Sequence, residues 1–344
     1  MNTPATLDDT IGASCGMLMS VEQASRAIRQ QDGGCFSIAG DEQLLRRLPS
    51  GLWIAGSIPY FMGQDGGATT RDRVFVTPVP VPAGRPVLRW YDEHDIRRVC
   101  VDAPAHGFTL LVLPAFSAVH STFAREAPNF EDMYVKPLVG WVSGIHLDDL
   151  GKSAAVAGNG QTREFRGDKA LALHVPLPDA MDAHVDIVNL FTQGRGDRIR
   201  FPRTGFTAQE AFVNGERVDF ARYVSDKKLD TKLPLVADYC GAMVNVSIQS
   251  VDTAAGKVDF YAPVFDDVEY RQAQAVDDYP RAFTRALPGD ASGMQWSCNC
   301  ILNYLYSELE GKRTGRITGP MTFGEVAYQL LNQTMVYLRL ESNA

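Results

Sequence analysis

Two cysteines separated by one residue, Cys298 and Cys300, lie in the run Met294-Gln-Trp-Ser-Cys-Asn-Cys-Ile-Leu-Asn-Tyr, and the pair Gly324-Glu325 follows in Gly319-Pro-Met-Thr-Phe-Gly-Glu-Val. The pattern predicts a helix over 298–309. Cys298 would then sit where unpaired backbone N–H groups and the positive end of the helix dipole draw a thiol toward thiolate. Such a thiol suits nucleophilic attack, redox exchange or retention of an anionic ligand; the competing reading is a pair of buried structural thiols. On one helix the two thiols would point roughly 200° apart, so they do not naturally share a metal. Asn303 and Tyr306 form a polar stripe on the same helix, with Ile301, Leu305 and Leu309 packed beneath. Asn303 could equally do no more than bond nearby backbone. Glu325, at a tight Gly324 turn, could serve as acid, base or ammonium partner if partly desolvated. Its alternative is the first turn of a short helix over Val326, Ala327 and Leu330, where an acid is favoured by the dipole.

These groups converge on a ligand pocket in which Cys298, Asn303, Gly324 and Glu325 supply polar contacts while Trp296 and Phe323 supply apolar walls. A rival reading makes Cys298 a nucleophile, with Glu325 or His120 handling the proton. A third is a protein-interaction module with neither ligand nor reaction. Of the six histidines only His120, beside Ser121-Thr122 after an apolar strand, is placed near a pocket mouth; the others lack metal or nucleophile spacing. Gly63-Gln-Asp-Gly-Gly and Gly194-Arg-Gly-Asp match neither a P-loop nor a dinucleotide fingerprint, so no cofactor is expected. No metal is expected either, unless Cys15, Cys35, Cys240 and the 298/300 pair converge in the fold.

Composition narrows the partners. The chain has 344 residues, 45% hydrophobic and 22% charged, with 30 glycines and 19 prolines. That is an ordinary folded protein rich in turns, long enough for two cores. Thirty-three basic against 41 acidic residues leave a net charge of -8, which repels a phosphate backbone over long range. Arg46-Arg47, Arg97-Arg98 and Lys312/Arg313/Arg316 are short clusters that read as solvated surface, so no nucleic-acid partner is expected. No apolar run reaches about 18 residues, and the acidic N-terminus lacks a secretory layout. No membrane association is therefore expected. Six scattered cysteines read as reduced thiols in a cytoplasm.

The elements that must position these groups read as a mixed α/β protein, with many antiparallel strands flanked by helices in two sheet-containing halves. After a loose lead-in over 1–19, Ser20 and Gln23 form a capping box for a helix over 21–31, closed by Gly33-Gly34. Asp41 caps a second helix that Pro49 stops. Residues 92–100 read as helical. Phe108-Thr-Leu-Leu-Val-Leu-Pro reads as a strand buried on both faces, with a helical return around 120–125. Asn159-Gly160 marks a tight hairpin. Ala242–Ile248 and Lys257–Phe265 pair across a turn at 252–256. The halves are divided as 20–195 and 196–344, with Gly56-Ser-Ile-Pro-Tyr-Phe echoing Gly319-Pro-Met-Thr-Phe-Gly-Glu as corresponding turns.

On these C-terminal motifs, with Leu331-Asn-Gln-Thr-Met-Val-Tyr-Leu after them, the chain resembles the C-terminal domain of the FIST family. Cys298, Gly324 with Glu325, and Asn332 with Thr334 match the family's cysteine, glycine-glutamate turn and asparagine-threonine entry to the last strand. Leu44–Pro49 and Leu52–Phe61 are similar in layout to the N-terminal FIST half. The resemblance implies an intracellular sensory module for a small polar molecule, such as an amino acid or its derivative. Asn299-Cys300-Ile301 replaces the family's arginine-glycine surroundings, which puts the same ligand in doubt. No kinase, cyclase or chemoreceptor segment is read in the chain, so signalling would pass through a separate protein.

Overall fold

The computed structural model describes residues 16–30, 34–287 and 293–343. One plan occurs three times along it. In the first unit β1 (Met17–Met19) leads to α1 (Val21–Gln30), β2 (Cys35–Gly40), α2 (Glu42–Leu45) and β3 (Trp53–Ser57). A hairpin of β4 (Tyr60–Gly63) and β5 (Gly66–Thr69) follows, and β6 (Val74–Val79) returns. Local chemistry starts the helices as expected: Ser20 N–H donates to Gln23 Oε1, Gln23 N–H donates to Ser20 Oγ, and Gln43 N–H donates to Asp41 Oδ1. The second unit runs β7 (Val87–Tyr91), a single 3-10 turn, β8 (Gly107–Pro114), α3 (Ala118–Glu126) and β9 (Leu138–Ser143), then the hairpin β10 (Ala157–Asn159) and β11 (Glu164–Arg166), then β12 (Ala170–Pro176).

The third unit begins with β13 (Met181–Val188) and is then interrupted by an inserted unit. The insert holds β14 (Ile199–Arg200), β15 (Gly205–Ala208), β16 (Glu210–Val213), β17 (Glu216–Asp219), α4 (Phe220–Asp226), β18 (Leu235–Tyr239), β19 (Ala242–Val246), β20 (Ile248–Asp252), β21 (Lys257–Val264) and β22 (Glu269–Gln272). The plan resumes with α5 (Tyr279–Ala286), β23 (Met294–Cys300), α6 (Ile301–Tyr306) and β24 (Gly319–Thr322). It closes with the hairpin β25 (Glu325–Ala327) and β26 (Gln329–Leu331) and the last strand, β27 (Met335–Ser342).

Each unit contributes one parallel pair: β2–β3, β8–β9 and β23–β24. On one side of the pair lie the unit's own antiparallel strands, β6 with β1, β12 with β7 and β27 with β13. On the other side lies a hairpin from a neighbouring unit. β4–β5 joins β24, β10–β11 joins β3, and β25–β26 joins β9, so three six-stranded sheets form and the exchange is cyclic. Their inner faces meet in one core containing Ile54, Val112, Trp141, Trp296, Cys298 and Leu338. Helices α1 and α2 cover the outer face of the first sheet, and α3 covers the second. The insert carries a six-stranded and a three-stranded sheet around its own core, where Phe201 packs edge-on against Phe220, Phe260 and Tyr270.

Several expectations are corrected. The fold is mixed α and β with antiparallel-rich sheets, but the described residues form five sheets with no clean division into two halves. Strands from either side of residue 195 share a sheet, since β13 pairs β27 along eight residues and β4 pairs β24. Alternation shows that a strand has two faces; it does not show which strand caps which edge. Residues 1–15 and Gly33 lie outside the described residues, while Met17–Met19, expected as lead-in, pair with β6. The helix expected over 92–100 is one 3-10 turn at Ile96–Arg98. Asp92 and Asp95 side chains take the nearby N–H groups instead, the local competition that keeps aspartate out of helix interiors. The hairpin at Asn159-Gly160 is present with a longer loop, Asn159 Oδ1 accepting from Gln161 and Thr162 N–H. The two echoing segments do occupy corresponding turns, after β3 and β24; a third follows β9.

Close approach of β8 and β9 leaves no room for a side chain at Gly140, where a Cβ would stand 2.0 Å from the Leu111 carbonyl oxygen. Gly140→Ala should therefore destabilise the chain by roughly 3 kcal/mol in denaturant unfolding. Gly196→Ala, where a Cβ meets open space, should change stability by less than about 0.5 kcal/mol.

Candidate functional site

Cys298 lies inside β23 rather than at a helix start, because β23 continues through Cys300 and α6 begins only at Ile301. Buried strand pairing on both sides, β24 and β27, holds the segment extended. The sense of the thiol shift therefore reverses. Burial first, and the charge of Glu325 second, push the Cys298 thiol well above its ordinary value. Its Sγ contacts the Gly140 carbonyl at 3.5 Å, and the space beside it is a void of about 10 Å³. Trp296 is equally enclosed, its indole N–H donating to Ser37 Oγ at 3.1 Å. Cys15 is outside the described residues, and among the described residues no three His, Cys, Asp or Glu side chains are grouped as a metal would need.

Glu325 opens β25 rather than a helix, and it is fully buried. Its Oε2 accepts from Thr334 Oγ at 2.8 Å and from Thr334 N–H at 3.2 Å, and Thr322 Oγ lies 3.2 Å from Oε1. Burial pushes the carboxyl up to about 8, with the bonds from Thr334, Thr322 and Cys300 pulling the other way. The Cys300 thiol, hydrogen-bonded to Glu325, is pushed well above its usual range by burial and by that carboxylate. Asn299 Oδ1 accepts from Cys300 N–H and from Asn303 Nδ2, while Asn303 Oδ1 and Asn332 Oδ1 are buried without a partner. Gly324 gives its carbonyl to Val142 N–H. Of the residues expected to bind ligand, Asn303, Gly324 and Glu325 thus sit in a buried polar knot with Asn299, Cys300, Thr322 and Thr334.

The open space is next to this knot. A cavity of about 360 Å³ lies between core and insert, within the usual size of small-molecule sites. Its core side is made by Phe116 and His120 on and before α3, by Ile301, Leu302 and Leu305 of α6, and by Phe323. Its insert side is made by Phe206 and Thr207 of β15 and Asp259, Phe260 and Tyr261 of β21. Of the residues expected from sequence, Phe323 and His120 line it; Trp296, Cys298, Asn303, Gly324 and Glu325 do not.

Local structure explains the aim of the lining groups. β8 ends at Pro114, and Phe116 takes a left-handed conformation, φ 64°, before Ser117 caps α3 by accepting from His120 N–H. A bulky residue at positive φ is strained, and such strain persists where the surroundings over-determine it. Here it leaves the Phe116 ring exposed at the cavity mouth, edge-on to Phe323 at 6.2 Å. Phe323 is fixed from behind by Gly144, where a Cβ would meet its ring at 2.4 Å. One turn into α3, His120 is 7% exposed and its Nε2 has no partner. Burial pushes the imidazole down to about 4, so it is neutral near pH 7. Serine-capped α3 could have been anticipated from sequence; a phenylalanine at positive φ carries no such signal.

With this geometry in hand, comparison with known proteins decides the family. The chain belongs to the family of unknown function DUF6976, whose model matches residues 19–341. The matched span takes in the three core units and the insert alike. No curated protein and no solved structure matches the chain.

Linkage gives Glu325 a measurable signature. A folded-state value of about 8 against an ordinary 4.5 means its contribution is fully present below 4.5 and lost as pH rises through about 8. His120 and His174, both depressed from 6.5 to about 4, act elsewhere: they cost stability as pH falls from 6.5 toward 4. The wild-type chain should therefore lose roughly 2 kcal/mol between about pH 6.5 and 8. Glu325→Gln should flatten that slope in denaturant unfolding, and an unchanged slope would assign the loss to another group.

Proposed function

We propose that this protein binds a small molecule in the cavity between the three-unit core and the insert, and that the occupant fixes one against the other. The observation that carries this reading is the buried, unpartnered Nε2 of His120 beside a mainly apolar space of about 360 Å³. An unpaired buried polar atom costs on the order of 1–3 kcal/mol, and a ligand group that bonds it recovers much of that cost. In keeping with the FIST resemblance, the role is that of a cytoplasmic sensory module read by a separate signalling protein. Free cysteines at 35, 100, 240, 298 and 300 agree with a reducing compartment. No helix among the described residues is long and apolar enough to cross a membrane. A covalent role for Cys298 draws no support from a thiol that is sealed and pushed upward.

A neutral, environment-sensitive naphthylamine dye should bind the full chain one-to-one, followed by fluorescence. Leu305→Trp, at a half-exposed cavity position that tolerates a larger ring, should weaken binding by about tenfold with little change in melting temperature. Cys298→Ala, outside the cavity, should leave dye affinity unchanged. Equal affinity in Leu305→Trp and wild type would remove this cavity as the site.

A further inference from the structure

The cavity's chemistry is selective, and it points to an occupant different from the amino-acid-like molecule that the FIST resemblance implies. A free amino acid at neutral pH carries a carboxylate and an ammonium, each needing a counter-charge when taken out of water. Among the described residues no lysine or arginine lines the space. The one carboxylate among the described lining residues, Asp259, is already engaged: Oδ1 accepts from Thr207 Oγ at 2.8 Å, and Oδ2 from Lys257 Nζ at 2.9 Å and Ser250 Oγ at 3.0 Å. Burial raises the Asp259 carboxyl, but the bonds from Lys257, Thr207 and Ser250 outweigh it and keep the group ionised. The pair Asp259–Lys257 is therefore internally neutral and offers no unmatched charge to a ligand.

What remains is aromatic and neutral. Phe116 and Phe323 line the space from the core side and Phe206 and Tyr261 from the insert side, while the Phe260 ring points into the insert's own core. His120 lines the same space, its ring 6.1 Å from that of Phe206. A neutral imidazole has one N–H donor and one acceptor nitrogen. A hydroxyl, which can both donate and accept, satisfies Nε2 whichever tautomer is present, whereas a carboxylate can only accept.

We infer that the cavity, read as above as a small-molecule site, selects a neutral aromatic molecule bearing a hydroxyl group that hydrogen-bonds His120 Nε2, and that it rejects anions. The rings supply area-proportional affinity to any flat apolar body. The imidazole supplies the discrimination, because an analogue lacking the hydroxyl leaves Nε2 buried and unpaired.

Calorimetric titration of the full chain with four probes of one shape tests this: naphthalene, 2-naphthol, 2-naphthoate and 2-naphthylmethylammonium. The expected order places 2-naphthol about tenfold tighter than naphthalene, with both ions weaker than naphthalene. His120→Leu should abolish the advantage of 2-naphthol while retaining naphthalene. Should His120→Leu fail to fold, nitrogen NMR of the wild-type imidazole replaces it: 2-naphthol should shift the His120 ring nitrogens and naphthalene should not. Naphthoate or the ammonium binding as tightly as 2-naphthol would overturn the inference, as would a His120→Leu chain that keeps the hydroxyl preference. Failure of the broader reading looks different. If no probe binds, the cavity is not a site at all; if all four bind alike and Leu305→Trp weakens them, the site stands and the selectivity is wrong.

Discussion

The structure depends on the closing of three open sheet edges. Each parallel pair, β2–β3, β8–β9 and β23–β24, exposes on its second strand a row of unpaired N–H and C=O groups that water would otherwise have to satisfy. A hairpin from a neighbouring unit covers each row, and the donations run in a circle. No unit can complete its sheet alone, so the three inner faces are brought together by the same bonds that finish the edges. The common core, in which Trp141 of the second unit and Trp296 of the third share one cluster, follows from that closure. The insert leaves the circle between β13 and α5, a connection that donates no hairpin, and so adds a second body without opening an edge.

The polar knot around Glu325 acquires a role from this architecture. Thr334, which bonds Glu325, follows Gln333, a buried residue held at φ 49°. Gln333 is one point at which the insert is fastened to the core. Ser247 Oγ donates to its side-chain oxygen at 2.7 Å, its own amide donates to the Lys232 carbonyl, and Asn245 Nδ2 donates to the adjacent Asn332 carbonyl. On the core side the Thr334 carbonyl accepts from Cys300 N–H. Buried polar networks of this kind specify one arrangement more than they add net stability. The knot thus adjoins the bonds that join the insert to the core, near the α6 wall of the cavity.

Much of the local structure is legible in the sequence because local chemistry decides it. Ser20 with Gln23 and Asp41 start helices through bonds that span three residues or fewer, and the apolar run 108–114 is buried on both faces as composition requires. What sequence cannot show is the exchange of hairpins, since β4 and β24 meet across some 260 residues with nothing in either strand naming its partner. The polar residues of the C-terminal motif stand out for a sound reason, their chemistry being foreign to a core, yet the structure uses most of them to satisfy one another. Phe323 alone among the expected ligand contacts turns outward to the cavity. The insert wall is hidden for a different reason: Asp259, Phe260 and Tyr261 read as an ordinary alternating strand until the insert is docked.

The proposed site requires that a small molecule occupy the space shared by core and insert. Nuclear Overhauser contacts from bound 2-naphthol to assigned side chains test it directly. Cross-peaks to both the Leu302 and Leu305 methyls of α6 and the Phe206 and Tyr261 rings of the insert are the expected result. Contacts to the core side alone, or to Met62 and Met335 beside the small void at Cys298, would contradict it.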